Sequence, residues 1–170
     1  PLMVAKAFQK AVKDKPAGEE KPLLLFAGIG PLEDELAEWI SSHQADDCIR
    51  MLGKRDDMVG LYNACDVMIL SSSKEGFSNA VVEALSCGKP VIAANVGGNA
   101  EVIEKPEHGW IHDSGNPVML ENQIVEAFQN LERLKSCSEE CRKQGLRFNL
   151  EAMVDATESL YRKAYESQSS

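Results

Sequence analysis

The sequence has no long apolar run, no basic block and no Cys-x-x-Cys pair, and each absence removes a class of protein. A membrane-spanning helix needs about 20 consecutive apolar residues, and no stretch approaches that. Lys and Arg number 18 against 27 Asp and Glu, for a net charge of −9. Without clustered cations there is no electrostatic footprint for nucleic acid and no strongly basic face for a membrane. The cysteines, Cys48, Cys65, Cys87, Cys137 and Cys141, are odd in number. Three lie in or beside apolar segments, and the other two are one helical turn apart with no histidine nearby. They read as reduced thiols of a cytoplasmic protein, not as a disulfide frame or a metal site. Secretory signal, internal repeat and low-complexity tract are also missing. The first residue is Pro1 rather than Met, so the start reads as clipped.

What is present is a globular composition. Hydrophobic residues make up 44% of 170, enough for one domain with a sizeable core. Leu2 to about Val12 carries Val4, Phe8, Ala11 and Val12 on one helical face. A charged loop, Lys13 to Lys21, follows. Apolar strands are expected at Leu23–Ala27, Ile49–Leu52, Val67–Leu70, Val91–Ala94 and Trp110–His112. Between them fall a helix opening at Pro31, with Leu32, Leu36, Trp39, Ile40 and His43 on one face, and a helix capped by Asp56 or Asp57. The latter turns Met58, Leu61, Tyr62 and Cys65 inward. Asn99 to Ile103 is a short turn. Asn116 caps and Pro117 opens a helix with Leu120, Ile124, Ala127, Phe128 and Leu131 inward, and two helices near Glu139–Arg147 and Glu151–Tyr165 close the chain. Strands alternating with helices predict an α/β fold, a Rossmann-like parallel sheet with helices on both faces.

One stretch organises the rest: Ser71-Ser-Ser-Lys-Glu75-Gly-Phe-Ser-Asn-Ala-Val-Val-Glu83-Ala-Leu-Ser-Cys-Gly88-Lys-Pro90. After the Val67 strand comes a polar loop, then a helix from about Ser78 to Cys87 that Ser78 or Asn79 can cap. Gly88 suits a left-handed C-terminal position and Pro90 forbids continuation. The loop lies at the carboxyl end of a strand, where open parallel sheets bind ligands. Glu75 and Glu83 bracket it. Free backbone N–H groups and the positive helix end suit a phosphate, and the carboxylates suit sugar hydroxyls. Taken singly, each glutamate reads as a solvated acid; the pair, with Gly76, Phe77, Ser78 and Asn79 between, does not.

That pair, with Glu-Gly-Phe and then Glu-Ala-Leu-Ser-Cys-Gly-Lys-Pro-Val, resembles the signature of retaining family-4 glycosyltransferases of the GT-B fold. Leu23-Leu-Leu-Phe-Ala-Gly-Ile-Gly-Pro-Leu32, Ile49-Arg-Met-Leu-Gly-Lys-Arg55 and Gly97-Gly-Asn-Ala-Glu-Val-Ile103 resemble further elements of that family in the same order. The resemblance covers roughly Leu23 to Asn130, and as an ordered set it is specific. It implies a C-terminal donor-binding domain, residues 1–170, belonging to a longer enzyme. The family's first strand, its basic diphosphate loop and its N-terminal acceptor domain would lie upstream. It implies retaining, metal-independent transfer from a nucleotide sugar, UDP-linked first and GDP-linked second, with no separate cofactor. The acceptor would be a sugar or lipid-linked molecule, in polysaccharide or lipopolysaccharide synthesis, and the enzyme cytoplasmic or peripheral at the inner membrane face. Glu75 would be catalytic, holding donor-sugar hydroxyls, and Glu83 would hold the ribose. Amides from Gly76 to Asn79 would hold the diphosphate. Main chain around Lys54 and Arg55 would hold the base. Gly28, Gly30, Gly97 and Gly98 would line the cleft.

The remaining motifs are ambiguous. Gly28-x-Gly30 suggests a dinucleotide fingerprint, but its third glycine would fall at Glu33, so a tight turn reads better than an NAD site. Lys54 and Arg55 suit either solvent or a nucleotide. Asp56-Asp57 is not an Asp-x-Asp metal motif. His108 and His112 read as turn and strand-end residues. Gly97-Gly98 is either a plain loop or a place of close backbone approach. A non-catalytic sugar-nucleotide or protein-binding module of the same fold stands as the alternative to an enzyme.

Overall fold

A computed structural model describes residues 1–13 and 21–168. Its elements are α1 (Leu2–Lys13), β1 (Leu24–Ala27), α2 (Glu33–Ser42), β2 (Ile49–Gly53), α3 (Met58–Ala64), β3 (Met68–Leu70) and α4 (Asn79–Ser86). There follow β4 (Val91–Ala94), α5 (Asn99–Val102), β5 (Gly109–His112), α6 (Pro117–Gln129), α7 (Leu131–Ser136), α8 (Ser138–Leu146) and α9 (Leu150–Gln168). All strand pairs are parallel. β1 pairs with β2, and β4 lies between β3 and β5, so the described strands form one sheet of two and one of three.

Strand β4 fixes the layering. Its four residues are all buried. Ile92 joins one core with α1, α2 and α6, through Val4, Phe8, Leu36, Ile40, Leu120 and Ile124. Val91 and Ala93 join the other, with Tyr62, Val81, Leu85, Val102 and Cys141. Side chains alternate across a strand, so helices cover both faces, as an α/β chain requires. β3 is only half-buried, although the sequence predicts a buried strand. The reason is geometric: one edge of β3 is unpaired, and so is one edge of β1. Both strands line a single cavity of about 1060 Å³, walled by Leu24, Phe26, Ile69 and Leu70 among others.

Several local expectations hold with their causes. Gly88 ends α4 at φ +77°, the left-handed geometry its position demands. Asn116 accepts a hydrogen bond from the Met119 N–H at 3.0 Å, with Pro117 behind it. Others shift. Pro31 does not open α2: the Glu33 N–H donates to the Gly30 carbonyl at 3.1 Å, which makes Pro31 the second residue of a turn. Asp57 stands at the N-cap of α3 without capping it, because its carboxylate is taken by Arg55. Leu131 does not continue α6; it starts α7 and is exposed. Leu32 and His43 are exposed at the ends of α2, whose buried face is Leu36 and Ile40. The Lys13–Lys21 loop falls, apart from its ends, outside the described residues.

Candidate functional site

The carboxyl end of β3 runs into the polar loop, and Ser78 takes the N-cap of α4 in extended conformation, 5% exposed. Its side chain makes no cap hydrogen bond. The first amides of α4, at Asn79, Ala80 and Val81, therefore have neither an intrahelical nor a Ser78 partner. Glu75 is half-buried just ahead of them, and Gly76, Phe77 and Asn79 are exposed. Helix-end donors with a carboxylate just ahead of them in the chain suit an anion and a polyol.

A second loop braces the first. After β4 the chain turns at Gly97, with φ +54°. A Cβ at Gly97 would run into the carbonyls of Gly76 and Glu75. The Gly98 N–H donates to the Gly76 carbonyl at 2.8 Å. Behind Gly98 lies Phe77, whose ring meets Phe148 at 5.4 Å between centroids. Glycine is needed at 97 both for the positive φ and for the contact. Gly97 and Gly98 are therefore the floor of the Glu75 loop, and the Phe77 ring packs across Gly98 and Phe148.

Glu83 is exposed one turn into α4, and it is not alone. The Tyr62 hydroxyl, from α3, donates to Glu83 Oε2 at 3.2 Å. Tyr62 is 6% exposed, and burial, together with the Glu83 charge, raises its phenol well above the ordinary value. The phenol is thus a donor at any physiological pH.

The other predicted residues belong to the β1–β2 sheet. Gly28, at φ +123°, donates its N–H to the Gly53 carbonyl at 2.7 Å and so ties the end of β1 to the end of β2. Gly30 begins the turn into α2. Lys54 and Arg55 are exposed just past β2. The Arg55 guanidinium is turned back onto Asp57 in two bonds of 2.8 and 2.6 Å, leaving main chain rather than that side chain free to meet a ligand. The strand ends that lead into these residues and into the glutamate loop, at Ala27 and at Ser71 to Lys74, line the same cavity.

His108 and His112 are both fully buried, and burial lowers the basicity of each. His112 Nε2 lies 3.3 Å from the Ser71 hydroxyl, joining the end of β5 to the first residue of the glutamate loop. Cys141 is buried, and its thiol is pushed up to about 12 by that burial, which suits an inert reduced thiol. Among the described residues no three His, Cys, Asp or Glu side chains gather as a metal site, and no helix is long and apolar enough to cross a membrane.

Two contacts escaped the sequence reading. Helical spacing places Tyr62 only on a core face; a tyrosine there, instead of phenylalanine, is the signal that a polar partner is near. The Ser71–His112 link spans 41 residues and leaves no local trace.

Comparison with known proteins matches residues 3–144 to the model of the family described as glycosyl transferases group 1. N-acetyl-alpha-D-glucosaminyl L-malate synthase of Bacillus anthracis is 30% identical over 159 residues, 93% of this chain and 40% of that protein. An uncharacterized glycosyltransferase of Methanocaldococcus jannaschii is 30% identical over 136 residues, 79% of this chain and 38% of that protein. The chain thus spans about two fifths of the length of these relatives. Among solved structures, Anabaena HepE, crystallised with UDP and with UDP-glucose, is 25% identical. Its UDP complex superposes with a TM-score of 0.77 over 92% of this chain and 44% of that one. TarM of S. aureus, at 16% identity, shares the fold with a TM-score of 0.81 over 94% of this chain and 32% of its own.

Proposed function

The chain belongs to the group 1 glycosyl transferases, and from that premise we propose that it is the donor-binding domain of a longer enzyme that transfers a sugar from a UDP-sugar with retention and without a metal. The observation that carries the reading is the loop between β3 and α4: uncapped helix amides flanked by Glu75 and Glu83 and held from below by Gly97 and Gly98. The amides from Gly76 to Asn79 bind the departing diphosphate. Glu75 holds donor-sugar hydroxyls beside the reacting carbon, and Glu83 accepts from the ribose. The main chain at Lys54 and Arg55, with the Gly28–Gly30 turn, borders the base and the cleft. The HepE complexes with UDP and UDP-glucose favour uridine over guanosine.

Preorganised donors do for the diphosphate what a cation does elsewhere; removing one from a comparable anion hole costs about 3 kcal/mol. The net charge of −9 opposes an anion, so these local dipoles, with cations from an upstream loop, supply the attraction. An acceptor, a sugar or lipid-linked molecule, is held mainly by an upstream domain. The open edges of β1 and β3 support one strand of that upstream segment lying between them.

The test is turnover of UDP-sugars by the full-length protein, read as UDP release. Glu75→Ala is expected to lower kcat by at least about 100-fold, while UDP, which lacks the sugar, binds within a fewfold of wild type. Unchanged turnover in that variant removes the role of Glu75. Tight UDP binding without turnover of any UDP-sugar would instead favour a non-catalytic module.

A further inference from the structure

The contact between Tyr62 and Glu83 joins α3 to α4 beneath the exposed carboxylate, and nothing in the proposed chemistry requires it. A carboxylate on a flexible, solvent-facing glutamate rotates freely. Here one oxygen, Oε2, receives the Tyr62 hydroxyl at 3.2 Å. The tyrosine is 6% exposed, packed in the core with Val81, Ala84 and Leu85, so its hydroxyl is a fixed point. The end of α3 is anchored independently, because Lys89 Nζ, just past α4, donates to the Asn63 carbonyl at 3.1 Å.

We infer that Tyr62 is a positioning residue: it fixes the plane of the Glu83 carboxylate so that the free oxygen positions meet both hydroxyls of a ribose, and it thereby makes the site selective for ribonucleotides over deoxyribonucleotides. The inference rests on the assignment of Glu83 to the ribose. A carboxylate offers about four lone-pair positions, and the buried phenol occupies one, at a fixed direction. A vicinal diol presents two O–H donors at a set spacing. Meeting both at once requires a carboxylate whose plane is already set, because the ordering cost is then met before the ligand arrives. A freely turning glutamate meets one hydroxyl nearly as well as two. Tyr62 itself touches no ligand; its effect passes through Glu83. The phenol stays protonated because burial and the adjacent carboxylate both disfavour phenolate.

The experiment titrates UDP and 2′-deoxy-UDP into the full-length protein by calorimetry. It uses wild type, Tyr62→Phe, Glu83→Ala and the double variant, with melting temperatures as a check on folding. Phenylalanine keeps the ring and its packing and removes only the hydroxyl. Wild type is expected to prefer UDP to its deoxy analogue by about tenfold or more. Tyr62→Phe is expected to weaken UDP by about fivefold to tenfold, in line with the ordering cost of one side chain no longer met in advance, and to leave 2′-deoxy-UDP nearly unchanged. The preference therefore shrinks. In the Glu83→Ala background the Tyr62 substitution is expected to add nothing, and kcat at saturating donor stays within about twofold in Tyr62→Phe.

If Glu83→Ala weakens UDP but Tyr62→Phe leaves the preference intact, the positioning role is overturned while the ribose assignment stands. Equal losses for both nucleotides in Tyr62→Phe, or a loss that persists without Glu83, assign Tyr62 to packing alone and overturn the inference. If Glu83→Ala changes neither nucleotide, the ribose assignment itself fails and the inference with it.

Discussion

A methyl group at position 97 has no room. At φ +54° the residue already lies where side chains are strained, and its Cβ would enter the space of the Gly76 and Glu75 carbonyls. Positive-φ strain and the clash together cost on the order of 1–3 kcal/mol. The backbone bearing Glu75 would relieve it by moving. Gly97→Ala is therefore expected to lower kcat tenfold or more, as Glu75 leaves its place, with a smaller loss of UDP affinity through the displaced Gly76 amide. Steady-state kinetics with a UDP-sugar, set beside calorimetry with UDP, separates the two; equal losses in both would refute the bracing role. The two buried histidines give a second prediction. Burial holds His108 and His112 below their ordinary value of 6.5. As pH falls below about 6.5 the unfolded chain gains protons that the folded chain refuses, so stability present above that pH is lost as pH drops through the folded values. The urea midpoint is expected to be lower at pH 5.5 than at 7.5, and a His108→Gln/His112→Gln variant to show a smaller gap. A midpoint with no pH dependence across that range in wild type would count against it. The glutamate pair, Gly88 and the Asn116 cap are legible in the sequence because each acts within a few residues of itself. Tyr62 on Glu83 and Ser71 on His112 are not, because they join segments 21 and 41 residues apart and periodicity carries no information on such meetings; Gly97-Gly98 shows close backbone approach as one of two readings, without showing that the Glu75 carbonyl is what it meets.

Among the elements, α4 and α9 are opposites. The eight residues of α4 bury Val81, Ala84 and Leu85 almost completely, between β4 and α8. The 19 residues of α9 bury none of their described side chains, although Leu150, Met153, Val154, Leu160, Tyr161 and Tyr165 are large and apolar. Helix length does not compensate. An isolated helix of this size is marginal in water, and most helical stability in proteins comes from burying a face. Ion pairs such as Glu158–Arg162 add only about 0.3–0.5 kcal/mol. In the chain of 170 residues, hydrogen exchange is therefore expected to be fast over Leu150–Gln168 and slow over Val81–Leu85. Mass-spectrometric exchange at neutral pH reads both segments in one experiment, and comparable protection in the two would contradict the argument. The sequence predicts α4 and α9 equally well, since both are amphipathic. It does not predict which of them buries its apolar face among the described residues. That difference lies in tertiary placement: α4 is flanked by strands on both sides in the chain, and α9 follows the last strand by 38 residues.

At the scale of the whole molecule, the open feature is the division of the parallel strands into two and three. Strands of such sheets are covered on both faces, and their edges are paired or protected. Here β1 and β3 each have an unpaired edge, and both border the same cavity of about 1060 Å³, walled mostly by apolar side chains. One further parallel strand between them would give the order β2-β1-x-β3-β4-β5, which is that of a Rossmann sheet whose first strand is x. Under the domain assignment proposed above, x comes from the segment just upstream of Pro1. A strand of about five apolar residues gains about 1.5–3 kcal/mol for each side chain buried, and ordering it costs about 1.5 kcal/mol per residue. The hydrogen bonds along both edges add to a net gain on the order of a few kcal/mol. For a domain of this size each kcal/mol raises the melting temperature by about 2–4 °C. A chain that begins one strand earlier is expected to melt about 5–15 °C above the 170-residue chain and to lose the binding of a hydrophobic dye that the open cavity provides. Identical melting and identical dye binding in the two would mean that x is not the upstream strand. With the strand in place, the Gly28 turn and the glutamate loop would stand at fixed separation on the two sides of it. UDP affinity is therefore expected to rise along with stability, and calorimetry on the same pair of chains measures both consequences of one added strand.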